Sequence, residues 1–295
     1  MELAKLYFNI VPLLAALAVF VIGIVVLAND RNNKVTRFWF LTCLSAALWS
    51  AIFFLTNNAS SREVGLIMRI FMDSFGIMVV YFWLKFIITF LNQEAALKWL
   101  TRLVAITTVF MLIFNTTHWF VKDLVPKYVF NYYVEANFGY YIFAFYFTII
   151  AIIGLFLLTK ASKTADNNRS KQIRNIFGGS IMGFAGGGST FLLSLNIPFP
   201  PFLFILFAGF PLIIGRGIVR YNLFNIRIIA TELLTLAIWI FLAIRLMFSE
   251  TTQDIVINAF LLGAVIIFGI LLVKSVWNEV KQREKIEKLS EEKSE

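Results

Sequence analysis

Apolar positions along the chain fall into long unbroken runs, not into the short alternating bursts of a half-buried sheet. Nine such runs occur, at about 6–28, 38–56, 65–91, 99–116, 140–159, 176–195, 202–219, 228–247 and 255–275. A helix that crosses the hydrocarbon layer needs about 20 mostly apolar residues. A β-barrel strand would alternate and need only about 10. Helices also satisfy their backbone groups internally, which lipid demands. The pattern therefore predicts an all-α, polytopic transmembrane helical bundle of seven plus two helices, followed by a short cytoplasmic C-terminal helix. The expected divisions are a seven-helix bundle at 1–221, two additional transmembrane helices at 222–275, and the cytoplasmic helix at 276–295. Pro211 and Gly215 interrupt the seventh run, which membrane helices tolerate.

Three polar stretches interrupt this pattern. Between the fourth and fifth runs, Thr117-His118-Trp119-Phe120 and Lys127 to Glu135 are β-prone stretches around polar and Pro positions. They predict a small hairpin or lid, or else an aromatic belt at the membrane interface. The basic stretch 160–175 reads as a solvated connector near anionic headgroups. From Val276 onward the chain is densely charged and free of Pro and Gly, so the ninth helix is expected to continue into water. Val273, Val276 and Val280 keep one apolar stripe, and Ile286 and Leu289 begin another. This is less than the three heptads that define a coiled coil. The tail reads as the start of a transmitting helix that stops early; either the chain is a fragment or its output resides on another polypeptide.

Composition moves the reading further toward lipid. Of 295 residues, 60% are hydrophobic and 15% charged, against about 45–50% and 25% in soluble domains. A surface with so little charge needs the lipid bilayer as its partner. The net charge of +9 could point to nucleic acid, but the basic residues follow alternate loops instead. Arg31, Lys34, Arg37, Lys98, Arg102, the 160–174 cluster, Arg216, Arg220, Arg227 and the tail form one set; only Lys5, Arg62, Lys122 and Lys127 form the other. The positive-inside rule then places the N-terminus outside and the C-terminus in the cytoplasm of a multi-pass cell-membrane protein, and excludes a nucleic-acid partner. The first run is longer than the apolar core of a cleaved signal peptide, so it is expected to be retained. Cys43 is the one cysteine, which excludes an internal disulfide and a cysteine metal cluster.

Candidate chemistry is sparse. No phosphate loop, zinc motif, nucleophile elbow or CxxC occurs, and the single histidine, His118, falls in the outer segment. No cytoplasmic histidine could accept a phosphoryl group, so neither an enzyme activity nor a cofactor is expected. Ionisable residues at bilayer depth are functional candidates, and the third run holds Arg69 and Asp73, four apart on one helix face, with Lys85 nearer the inner end. The pair could line a polar cavity, switch, or serve as a plain structural ion pair. Gly179, Gly183 and Gly187 align small residues on one face of the sixth run, which permits close helix packing.

Several short segments carry a resemblance. They are Ala46-Ala47-Leu48-Trp49, Tyr81-Phe82, the aromatic segment ending at Gly139-Tyr140, and the junction Ile218-Val219-Arg220-Tyr221-Asn222-Leu223-Phe224-Asn225-Ile226. With them the region 6–220 resembles the N-terminal seven-transmembrane region of bacterial sensor histidine kinases. The closing segment from Gly269 through Val276 and on to Leu289 is similar to members with two extra spans. The resemblance implies a sensor in a two-component system, with output through the last helix; kinase activity does not carry over, since the kinase domain is missing from this sequence. Expected signal reception then involves His118, Trp119, Tyr132, Tyr133, Arg69 and Asp73, and expected transmission involves Trp277, Val280, Ile286 and Leu289. The partners this implies are a second copy bound through the C-terminal helix and a separate cytoplasmic kinase, cyclase or response regulator. The competing readings are a small-solute or ion transporter using the Arg69–Asp73 pair, and a membrane scaffold.

Overall fold

A computed structural model of the chain describes residues 1–219, 235, 238, 239, 242 and 252–291. The chain forms two compact units, Met1–Val219 and Arg220–Glu295. The first unit contains α1 (Glu2–Asn29), α2 (Lys34–Asn57), α3 (Arg62–Phe90), α4 (Lys98–Phe114), the strands β1 (Val121–Lys127) and β2 (Phe130–Ala136), then α5 (Phe138–Thr164), α6 (Asn167–Ser194) and α7 (Ile205–Val219). Local chemistry sets several boundaries. The side chains of Asn33, Ser61, Asn137 and Asp166 accept hydrogen bonds from the first-turn amides of α2, α3, α5 and α6, amides that have no partner within their own helix.

Helices α1, α2, α3, α5, α6 and α7 close a ring, each packing on the next and α7 returning to α1, while α4 packs chiefly on α3 from outside. Asn115, at the end of α4, fastens it there: its Nδ2 donates to the Ile70 carbonyl at 2.7 Å and to Ser74 Oγ at 3.0 Å. The ring interior is aromatic, with Trp39, Phe53, Phe86 and Phe204 fully buried. The outer surface is apolar too. Ile106, Phe110 and Ile113 on α4, and Phe145, Ile152 and Phe156 on α5, are exposed. An apolar surface of this kind calls for a lipid or protein neighbour.

Among the described residues, five helices (α1, α2, α3, α5 and α6) are long and apolar enough to cross a membrane. Helix α4 has 17 residues and α7 has 15, so both are shorter than the predicted spans. The predicted seventh run starts as a 3-10 turn at Phe202–Phe204 before α7 begins. The 160–175 stretch is not the connector its polarity predicted. Helix α5 runs to Thr164 and α6 begins at Asn167, so polar residues extend both helices and leave a two-residue joint, Ala165 and Asp166. The all-α expectation also gains a small exception, the antiparallel β1–β2 hairpin. Its turn holds Tyr128 at φ 55°, a left-handed conformation unusual for a bulky residue.

In the second unit, α8 (Thr252–Glu291) is a single helix of 40 residues, about 60 Å long. Gly269 lies against Thr235 and Trp239, and Trp239 Nε1 donates to the Val265 carbonyl at 3.0 Å. The predicted span at 228–247 otherwise lies outside the described residues, as does the junction from Arg220 to Ile226.

Candidate functional site

Two turns into α3, Arg69 and Asp73 are both buried inside the ring, 5% and 1% exposed. Their i,i+4 spacing puts both side chains on one face. Arg69 Nε donates to Asp73 Oδ2 at 2.8 Å, and Nη2 lies 2.7 Å from Oδ1. The hydrogen bond of Nη2 goes elsewhere, to the Tyr140 hydroxyl on α5 at 2.8 Å. Asp73 Oδ1 therefore has ion-pair contact but no aligned donor. Tyr140 passes its own hydrogen to Ser194 Oγ on α6 at 3.2 Å. One ion pair on α3 thus connects through a tyrosine to α5 and α6. A cavity of about 20 Å³ adjoins it, lined by Asp73, Gly76, Thr190 and the rings of Trp49, Phe143 and Phe207. Removing one partner of such a pair leaves a buried uncompensated charge, the costly case.

The β1–β2 hairpin closes this end of the ring. Phe130, Tyr133 and Val134 on β2 are buried, as is Leu124 on β1. Tyr133 donates to the Thr190 carbonyl of α6 at 2.9 Å. Burial pushes its hydroxyl pKa above the ordinary tyrosine range, so it remains a donor throughout the physiological pH range. Phe130 packs on Phe8 of α1 and leans on Phe53 of α2. Lys127 Nζ reaches the end of α6, 3.0 Å from the Leu193 carbonyl and 2.7 Å from Asn196 Oδ1. A cation is favoured there because the last carbonyls carry the negative end of the helix dipole. Arg62 Nε pairs with Asp123 Oδ1 at 2.6 Å, tying β1 to the start of α3. That hydrogen bond holds the Asp123 carboxyl below the usual carboxylate range.

The residues expected to receive a signal separate into two places. Arg69, Asp73 and Tyr133 belong to or abut the interior network. His118 and Trp119 are exposed and lean on one another, with ring centroids 5.1 Å apart, and Tyr132 is half-buried. Lys85, expected to reach the inner interface, lies half-buried over the Phe38 ring at 5.0 Å. Among the predicted packing glycines, a Cβ at Gly179 would meet Ile214 Cγ1 at 2.5 Å, one at Gly183 would touch Phe210 at 3.0 Å, and one at Gly187 would have ordinary contact. Gly186, outside the predicted set, is tighter against the α7 backbone: its Cβ would lie 2.7 Å from the Phe207 amide nitrogen. Trp277, Val280, Ile286 and Leu289 all fall on α8; their side chains lie outside the described residues. Tyr140, Ser194, Lys127 and Arg169 were missed. Arg169, at the start of α6, donates to the Phe90 carbonyl at the end of α3 and stacks on the Phe90 ring at 4.0 Å. No local signal names these partners, because each contact joins residues more than fifty positions apart.

A family model for the N-terminal 7TM region of histidine kinase matches residues 11–227. The chain belongs to this family. The 7TM region is the non-catalytic input part of a histidine kinase, and the match covers most of the helix ring, from within α1 to just past α7. No curated protein matches the chain. The Arg69 network and the hairpin both sit inside the 7TM region, whereas α8 lies beyond the matched residues.

Proposed function

We propose that the chain is a membrane-embedded sensory input module in which a signal at the hairpin end, or within the ring, displaces helices and the last helix passes that displacement to a cytoplasmic output. The observation that carries this reading is the Arg69 network: one buried ion pair engages α3, α5 and α6 directly beneath the hairpin. Packed interiors tend to shift between discrete arrangements instead of deforming smoothly, and such a network is suited to having two. The basic-residue pattern supports an exterior hairpin, an exterior N-terminus and a cytoplasmic C-terminus. In this reading seven helices of the matched region and two more cross the bilayer. The tail of α8 would meet a second copy, or a separate kinase, cyclase or response regulator.

The test uses the tail as reporter. In membranes carrying Leu289→Cys in a Cys43→Ala background, disulfide formation between copies is followed in time. Coupling between sites typically amounts to about 5–150-fold, so Asp73→Asn should change the rate several-fold. Identical rates for Asp73→Asn, Arg69→Gln and Tyr133→Phe, at normal protein levels, would remove the reading. The transport alternative uses the same pair and predicts instead that these changes abolish uptake of a solute.

A further inference from the structure

A roomier and more polar cavity than the one beside Asp73 lies elsewhere in the first unit. At the hairpin end a cavity of about 120 Å³ opens between the start of α1, the end of α2 and the hairpin turn; Lys5, Asn9, Asn57, Asn58, Phe130 and Asn131 contribute to its wall. A single water needs only about 10–15 Å³, so there is room for a small solute. Lys5 is the one charged lining residue, no carboxylate takes part, and four carboxamides supply the polarity. Asn58 is committed within the protein: its Nδ2 donates to Asn9 Oδ1 at 3.0 Å and to the Phe54 carbonyl at 2.9 Å. Asn57 is not. Both its Oδ1 and its Nδ2 are shut off from solvent and neither has a partner in the protein. Buried polar groups are almost always paired, and a carboxamide can offer an acceptor and two donors to a ligand.

We infer that this cavity binds a small anionic solute, of the hydroxycarboxylate class. The carboxylate meets the Lys5 ammonium, and the Asn57 amide, covered in this structure, turns into the cavity to meet the adjoining hydroxyl. Phe130 forms an apolar wall, packed on Phe8 with centroids 4.8 Å apart. The same ring lies 4.8 Å from that of Tyr133, whose hydroxyl is bonded to α6. If the sensory reading holds, occupancy of the cavity is thereby joined to the interior network. A glycerophosphate headgroup shares the chemistry of such a solute and is the other source of it.

The experiment uses the full chain purified in maltoside micelles, which contain no phosphate. Thermal unfolding is followed by tryptophan fluorescence against lactate, glycolate and glycerol, with ionic strength held constant by sodium chloride. At least one of the two carboxylates should raise the Tm saturably, with half-effect at roughly millimolar concentration as suits so small a ligand. Lys5→Gln and Asn57→Leu should each weaken that effect by about tenfold or more, and Lys5→Arg should keep it. Asn131→Ala, at the hairpin turn, serves as a second reporter should Asn57→Leu not fold. No saturable rise, an equal rise with glycerol, or a rise undiminished in these variants overturns the site. Repeating the titration in phosphatidylglycerol nanodiscs assigns the source: lost carboxylate binding there indicates a headgroup occupant, and retained binding a free solute. Carboxylate binding together with Leu289→Cys crosslinking that is unchanged by the ligand and by Asp73→Asn, Arg69→Gln and Tyr133→Phe keeps the site and removes the sensory reading. Crosslinking that responds to Asp73→Asn without any carboxylate binding removes the site alone.

Discussion

Replacing Arg69 by leucine strands the Asp73 carboxylate inside the ring, and replacing both residues removes the charge altogether. Breaking one side of a buried pair costs about 3–5 kcal/mol, while apolar replacement of the whole pair is often neutral. Arg69→Leu should therefore destabilise the detergent-solubilised chain far more than Arg69→Leu combined with Asp73→Leu, as read by thermal unfolding. Equal losses would mean that the carboxylate is compensated by something other than Arg69. Tyr133→Phe removes only the bond to the Thr190 carbonyl and should cost about 1 kcal/mol. Asp123 gives a pH prediction. Arg62 depresses its folded pKa, so the contribution exists above the unfolded value, near pH 4, and fades as pH falls through the lower folded value. The pair is half-exposed, so the effect is small. Asp123→Asn should flatten the acid limb of the unfolding profile below about pH 4 and leave neutral-pH behaviour nearly unchanged. Arg69 and Asp73 were legible as a pair because helix periodicity alone brings them together; Tyr140 and Ser194 were not, because only the tertiary fold does so.

Glycines separate two kinds of helix contact. On α6, a Cβ at Gly186 would collide with the α7 backbone, whereas Gly178 and Gly188 have open space around the same atom. Gly186→Ala should lower the Tm by an amount equivalent to about 1–3 kcal/mol, the usual cost of overpacking. Gly188→Ala should be neutral or stabilising by up to about 1 kcal/mol, since alanine is the better helix former. Similar losses for both would show that the α6–α7 approach is not what the glycines serve. The sequence registers small residues at helical spacing, but it cannot say which of six glycines in one run faces a neighbour. The 160–175 stretch misled for a related reason. Polarity does not by itself break a helix: α5 and α6 both carry polar residues through this stretch, and the Asp166 side chain caps α6 there. The hairpin was one of two readings of the outer segment, and its first strand was misplaced: the β-prone stretch 117–120 lies ahead of β1, which instead takes in the polar positions and Pro126.

At the scale of the molecule, the apolar runs anticipated the helices of the first unit to within a few residues where the runs ended sharply, at α2 and α4. Among the described residues five helices are long and apolar enough to cross a membrane, against nine runs in the sequence. Orientation is open to direct measurement. In a Cys43→Ala background, His118→Cys should react with an impermeant maleimide added to intact cells, and Gln282→Cys only after permeabilisation. The reverse pattern would invert the topology and move the hairpin to the cytoplasm.

Helix α8 runs from Thr252 to Glu291 with no proline to break its backbone ladder. A rod of this kind neither stretches nor buckles readily under a small load, so its two ends keep step. An axial shift or a turn imposed near Thr252 would arrive at Glu291 little diminished, and a receiver there could read either.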